Sequence, residues 1–427
     1  MKKLIKSEYL ARVEGEGGFV IEVLDGKVAK INLRIFEAPR LFESFLRGRS
    51  YADVIDFTAR ICGICPVAYQ MSAVHALERL FGTQIDGWIR ALRRVLYCGE
   101  WIESHALHIH LLAAPDYLGF RDAIAMAPAH PELLARGLAL QALGNDILRT
   151  LGGRSVHPVS VRVGGFSRAP DADTIAALLR RIDAALPDAE ALLVWTARLP
   201  LPHDEQDFTC VALRHPHEYP MNEGRIVSDR GLDIDTDEYD AHFSETHERH
   251  STALYSSLEG APYLVGPLAR LNLNADRLPR EVAAALERVG LRLPSRNMFH
   301  SIIARAAEIL VALHEAKRLL AGYSAQAPAV APIPCAGTGA WATEAPRGLL
   351  WHRYHTDDEG RIKSARIVPP TSQNQARIEA DLAASLAALG LESDNDALRL
   401  RAETVVRNYD PCISCATHFL QLKVNRR

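Results

Sequence analysis

The sequence predicts an α+β protein that is mostly helical, with a central helical bundle and small β-hairpin additions. Three observations predict it. Apolar residues recur at helical spacing, as in Ile85, Trp88, Ile89, Leu92, Val95 and Leu96. Residues 19–36 instead alternate, with Ile31, Leu33 and Ile35 between Asn32 and Arg34. The chain has 427 residues, 48% of them hydrophobic, which allows a sizeable core and argues against disorder.

Taken in order, the first element is a hairpin over residues 19–36, turned by Asp25-Gly26. A helix follows Pro66 and covers Val67 to Leu80, because proline favours the first helical position. Helical periodicity continues over 85–112, 132–150, 173–197, 275–289, 298–321, 374–389 and 396–407. Residues 200–250 are richer in His, Asp, Glu and Pro and read as irregular. A second hairpin is expected at 347–369, around Asp357-Asp358-Glu359-Gly360. No internal repeat and no low-complexity tract interrupts the pattern. We read residues 1–427 as a single large domain. Its parts are the hairpin at 19–36, a helical core over 66–407, a C-terminal motif at 410–418 and a tail at 419–427.

The formal net charge of −3 argues against nucleic acid or an anionic membrane as the main partner. The N-terminus has no apolar stretch of signal-peptide length, and no run is long enough to span a membrane. Seven cysteines are few and odd in number, so a reducing compartment or a metal site fits better than a disulfide framework.

Four of the seven form two C-x-x-C pairs near opposite ends of the chain. They are Cys62 and Cys65 in Arg60-Ile61-Cys62-Gly63-Ile64-Cys65, and Cys412 and Cys415 in Asp410-Pro411-Cys412-Ile413-Ser414-Cys415, with His418 following. A structural zinc site is one reading, although zinc ribbons place their pairs only about 15–20 residues apart. Other thiolate metal chemistry is the second, since soft thiolates also suit nickel and iron. A thioredoxin-like pair would need a βαβ setting, which the N-terminal hairpin is not. Cys65 stands just before the helix at Pro66, where the helix dipole is expected to favour its thiolate.

At these motifs the sequence resembles the large subunit of nickel–iron hydrogenases, which carry R-x-C-G-x-C near one end and D-P-C-x-x-C-x-x-H at the other. Further elements match: Arg12-Val13-Glu14-Gly15, Gly152-Gly153 through His157-Pro158 to Gly164-Gly165, Val265-Gly266-Pro267-Leu268-Ala269-Arg270, and Glu344-Ala345-Pro346-Arg347-Gly348. The resemblance implies that all four cysteines bind nickel, with Cys65 and Cys415 also bridging to an iron that carries cyanide and carbon monoxide. The implied reaction is heterolytic cleavage of dihydrogen, with Cys412 taking the proton and Glu14 relaying it. By the same resemblance Arg347 lies beside the iron's diatomic ligands, and Thr371 donates a hydroxyl to a cyanide. Glu43, a backbone carbonyl near Ile367 and His418 are the implied ligands of a magnesium ion. His105 is a candidate neighbour of the site or a core histidine.

Departures from the family pattern point to a branch. Tyr69 stands where a histidine is common, Ser104 where membrane-linked uptake enzymes carry aspartate, and Glu16 where they carry histidine. With the short chain, these resemble the cytoplasmic, NAD(P)-linked or sulfhydrogenase-type branch, so a cytoplasmic enzyme is expected. Cys98, Cys210 and Cys335 form no iron–sulfur cluster motif, and no dinucleotide- or phosphate-binding loop is present. The electrons therefore need partners: an iron–sulfur small subunit, and further iron–sulfur, FAD- and NAD(P)-binding subunits. A maturation protease is also implied, because family members are commonly clipped after the histidine that matches His418. The alternative from a different class is a zinc-stabilised scaffold subunit without redox chemistry.

Overall fold

The structure is a computed structural model that describes residues 2–326 and 329–417. His418 and the tail 419–427 therefore lie outside the described residues.

The chain opens with a three-stranded antiparallel sheet, Lys2–Ser7, Gly17–Leu24 and Lys27–Ile35 in that order. Phe19, Ile21 and Val23 point one way and are buried, the period-two signature of a strand with one covered face. The first strand extends the expected hairpin: KKLIKS is too polar to read as a strand, and only pairing with Gly17–Leu24 orders it.

The bundle is built from the helices Gly87–Leu107, Pro131–Gly152, Ala172–Thr196 and Ser301–Leu320. The first two approach closely because Gly99 and Gly144 face one another. A Cβ on Gly144 would lie 2.6 Å from the Gly99 carbonyl and from the Glu103 nitrogen. After Leu107 the first helix widens into a π-helical turn, His108–Ala113, before Ala114–Leu118.

The Pro66–Phe81 helix packs on a second three-stranded sheet, Gly337–Ala345, Gly348–Thr356 and Ile362–Val368. The last two strands are the expected hairpin. The first, GTGAWATEA, carries too many small residues to show alternation. The helices Pro370–Leu389 and Asn395–Asn408 pack on each other and on the N-terminal sheet. One apolar core runs from Ile5 to Cys415 and includes all four motif cysteines.

Two expectations need correction, and two helices were missed. Residues 200–250 hold short strands, Val211–Arg214, Arg225–Ser228 and Asp233–Ile234, and Phe243–His247 pairs with Leu254–Leu258. Runs of two to five residues are too short for a period to register. The helix expected over 275–289 is broken: Ala275–Arg277 is a 3-10 turn and Arg280–Arg288 the helix, because Pro279 cannot continue a hydrogen-bonded turn. Helices at Tyr51–Ala59 and Pro267–Asn274 were not expected at all.

Candidate metal centre

The two C-x-x-C pairs meet. Ligand atoms of Cys62, Cys65, Cys412 and Cys415 all lie within 4.8 Å of one another, and all four residues are buried. The Cys62 and Cys412 sulfurs are 3.4 Å apart and those of Cys65 and Cys415 3.8 Å apart. Each pair sits on a turn that enters a helix: Cys65 precedes Pro66–Phe81, and Cys412 precedes the short turn Ile413–Ala416. Backbone N–H groups of Ile64 and Cys65 point at the Cys62 sulfur, both at 3.3 Å.

Two side chains fasten these turns. Arg40 donates to the Ile61 carbonyl at 2.6 Å and also to the Ser414 carbonyl, tying the first loop to the second. Buried Glu100 accepts from the Val67 and Ala68 N–H groups, the latter at 3.0 Å. The free amides at this helix start are therefore taken by the Glu100 side chain, and the expected dipole assistance does not prevail at Cys65. Its contact with Cys412 pulls its pKa down, but contacts with Cys415 and Cys62, together with burial, hold it well above an ordinary thiol. Cys62 moves the other way, lowered by its contacts with Cys412, Cys415 and Cys65. Burial pushes Cys412 up. Four thiolates cannot share so small a buried volume unless a cation neutralises them.

Glu14 reaches this cluster from the N-terminal segment. It forms an isolated parallel bridge with Cys412, the Ile413 N–H donating to the Glu14 carbonyl at 3.0 Å. Its carboxylate Oε2 lies 3.1 Å from the Cys412 sulfur and accepts from the Ser414 N–H at 3.0 Å. Glu14 is only partly buried, whereas Cys412 is fully buried, so this carboxylate bridges the interior and the surface.

Arg347 is buried and donates through Nε to the Asp410 carbonyl at 2.7 Å and through Nη2 to its carboxylate at 3.2 Å. Burial opposes its charge, but Asp410 and the sulfurs of Cys412, Cys65 and Cys62 hold it protonated. Its Nη1 has no hydrogen-bond partner. Behind it, Arg270 donates to the Ala345 and Pro346 carbonyls at 2.8 and 3.0 Å and pairs with Glu308 and Glu344. Gly266 is required here, because a Cβ would lie 3.0 Å from the Arg347 carbonyl at a φ of +121°. Two separate sequence elements, 265–270 and 344–348, thus form one support for Arg347.

Thr371 accepts the Cys412 N–H at 3.0 Å, which leaves its own O–H to donate. Glu43 accepts the Ile367 N–H at 2.7 Å, and the Arg40 N–H donates to the Thr417 carbonyl at 2.7 Å, so the chain before His418 runs beside residues 40–43. Tyr69 is buried with its hydroxyl unpartnered. His105 is fully buried against Glu308 at 2.9 Å, and burial lowers its pKa to about 4, so it belongs to the network behind Arg347.

Sequence patterns alone did not single out Arg40, Glu100 or the pairing of Asp410 with Arg347. A lone arginine or a helical glutamate carries no signal, whereas Asp410 stands inside the motif itself. A second group of ligand atoms, on His215, Glu218 and Glu223, is an ion-pair network, since Arg90 and Arg94 hold its carboxylates. Among the described residues no helix is long and apolar enough to cross a membrane.

The residues fit a soft metal centre. Four convergent buried sulfurs are its donor set, and the unpartnered Arg347 Nη1 is a buried donor awaiting an acceptor.

Comparison with known proteins agrees with that donor set. Residues 40–146 and 233–418 match the family model of nickel-dependent hydrogenases. The chain is 33% identical over 423 residues to sulfhydrogenase 2 subunit alpha of Pyrococcus furiosus, covering 98% of this chain and 100% of that one. It is 28% identical to the NAD-reducing hydrogenase HoxS subunit beta of Cupriavidus necator, over 98% of this chain and 96% of that one. A solved NAD+-reducing [NiFe]-hydrogenase in its H2-reduced state superposes with a TM-score of 0.87 at 28% identity, over 97% and 99% of the two chains. With the family model, the relatives and the four-sulfur site in agreement, this chain belongs to the nickel-dependent hydrogenases, as a large subunit of that family.

Proposed function

We propose that this single catalytic unit splits and forms dihydrogen at a nickel–iron pair held by Cys62, Cys65, Cys412 and Cys415. The observation that carries the reading is the meeting of the four sulfurs with a carboxylate, Glu14, against one of them. A nickel–iron pair held by these thiolates supplies the Lewis acidity and the redox couple that heterolysis needs.

The chain's own residues do the rest. Cys412 receives the proton, and Glu14 takes it across the 3.1 Å contact toward the surface. Arg347 keeps its charge beside the sulfurs, and its free Nη1 is the donor we assign to one cyanide. The Thr371 hydroxyl, oriented by the Cys412 N–H it accepts, is the donor we assign to the other. Cys65 and Cys415 are the sulfurs we assign as bridges to iron. Glu43, the Ile367 carbonyl and His418 are assigned to magnesium; the Glu43–Ile367 contact and the course of the chain at Thr417 support this.

Electrons leave through a partner. Gly63 is exposed between two buried cysteines, so the centre lies just beneath the surface there. Val156 and Val159 are half exposed on a loop anchored to the helices on either side of this turn, because His157 contacts the Ala59 carbonyl and Gln70 donates to the Pro158 carbonyl. We assign this face to an iron–sulfur small subunit, with further subunits carrying iron–sulfur clusters, FAD and NAD(P) in a cytoplasmic complex. The relatives named as NAD-reducing hydrogenase and as sulfhydrogenase support an NAD(P)- or sulfur-linked acceptor.

Elemental analysis of the purified complex tests the reading directly. Nickel and iron together are expected; zinc alone would return the chain to a scaffold role. Arg347→Lys is expected to keep both metals yet lower turnover about tenfold, or about 1.4 kcal/mol, since a flexible ammonium replaces a planar fork. Unchanged kcat at full metal content would refute that role.

The tail gives a further expected outcome. Thr417 is fully buried and its carbonyl is hydrogen-bonded. If His418 ligates a metal as proposed, a maturation protease is expected to remove Phe419–Arg427. The intact mass of the nickel-loaded subunit should end at His418. A mass that includes the tail would show clipping to be unnecessary.

A further inference from the structure

The two segments that meet at the sulfurs share an unusual feature. Glu14 follows Arg12 by two residues, and Cys412 follows Asp410 by two. Both Arg12 and Asp410 have left-handed backbone, with φ of 63° and 55°. Residues other than glycine rarely adopt it unless their surroundings impose it. For Asp410 the imposing contact is Arg347.

For Arg12 it is Asp116. Arg12 Nη2 donates to the Asp116 carboxylate, and Nη1 donates to the Leu112 carbonyl at 2.6 Å. The same carboxylate accepts from Arg407, Nε to Oδ2 at 2.7 Å and Nη2 to Oδ1 at 2.9 Å. Arg407 also donates to the Ala11 carbonyl at 3.4 Å and to Glu403 at 3.2 Å. Its own carbonyl accepts from the Asp410 N–H at 2.9 Å and pairs with His108 Nε2 at 2.8 Å. One buried carboxylate therefore fixes the segment that leads to Glu14 and the segment that leads to Cys412. Two guanidiniums face two carboxylates, so the cluster is balanced in charge.

Asp116 stands three residues beyond the π-helical turn His108–Ala113. Such turns are rare and concentrate at functional sites, because the wider turn re-aims whatever follows it. Here the Leu112 carbonyl inside the turn and the Asp116 carboxylate after it both meet Arg12.

We propose that Asp116, with Arg12 and Arg407, is a positioning clamp that holds the Glu14 carboxylate against the Cys412 sulfur. It thereby sets how fast a proton leaves the site. The proposal rests on the reading of Glu14 as the proton relay. Displacements far below the size of a side chain slow a transfer that depends on one hydrogen-bond contact.

Arg12→Lys and Arg407→Lys keep the charges and loosen the fork geometry from either side of Asp116. Two rates are measured on each purified holoenzyme complex. One is isotope exchange of D2 with solvent water, which needs the proton to leave. The other is para-to-ortho hydrogen conversion, which needs only splitting and recombination. Both variants are expected to retain nickel, iron and conversion while exchange falls about tenfold. Glu14→Gln is run beside them. If Glu14→Gln exchanges normally, the relay reading fails and the clamp with it. If Glu14→Gln loses exchange while both lysine variants keep it, the clamp alone is overturned. Loss of the metals from both lysine variants, or a proportionate fall in both rates, would also overturn it, since the cluster would then serve the scaffold.

Discussion

Glu14→Gln should slow proton exchange at least about a hundredfold while leaving the metal centre intact. The glutamine oxygen can still accept the Ser414 N–H that Glu14 Oε2 accepts at 3.0 Å, and the backbone bridge to Cys412 is untouched. The segment therefore keeps its place. An amide cannot take and release a proton as a carboxyl group does, so only the relay is removed. General acid–base groups contribute typically about 10²–10⁴-fold, and a fall in isotope exchange of at least about a hundredfold is expected. Nickel and iron contents should match the unaltered complex. Exchange at the unaltered rate would remove Glu14 from the proton path.

Cys65→Ser should have the opposite signature, with the fold kept and the metals lost. Serine is nearly isosteric, and Cys65 sits at a helix start whose amides are already satisfied by Glu100, so the helix has no reason to unravel. The hydroxyl, however, does not ionise near neutral pH and is a hard donor where nickel and iron need a soft one. Outer partners of a metal ligand are worth about 10–100-fold in affinity, and loss of a ligand itself should leave less than about a tenth of the nickel and iron. Circular dichroism should be unchanged. Full metal occupancy in this variant would show that three sulfurs suffice and would remove Cys65 from the essential ligand set.

How much of this could be read beforehand follows from where each residue keeps its information. The cysteine pairs were legible because residue type and spacing state their chemistry, and the long helices because a repeated period survives any local noise. Glu14 and Arg347 were legible only through resemblance, since each looks like an ordinary surface or ion-pair residue in its own segment. Arg40 and Glu100 were not legible. Arg40 acts across a sequence separation of 374 residues and Glu100 across 33, and neither leaves a local pattern. The short strands between Val211 and Leu258 are held by partners rather than by propensity, and the strand Gly337–Ala345 by its place beside Gly348–Thr356. The π-helical turn follows an unbroken helical period, so nothing in the sequence marks where the extra residue enters.

The bridge between Glu14 and Cys412 has a consequence for the order of biosynthesis. Cys62 and Cys65 can take their turn once the first quarter of the chain has folded, but the facing sulfurs are 350 residues further on. Until the last segment leaves the ribosome and docks beside Glu14, the chain is an open ring with half a binding site on one lip. Closing so long a ring costs conformational entropy, a cost that grows only slowly with the ring's length. A metal delivered before docking meets two thiolates and an open face. Delivered after, it meets four sulfurs that are all buried. On the proposed reading the segment from Asp410 to Thr417 closes over its own site, and bound metals would clasp the ring shut.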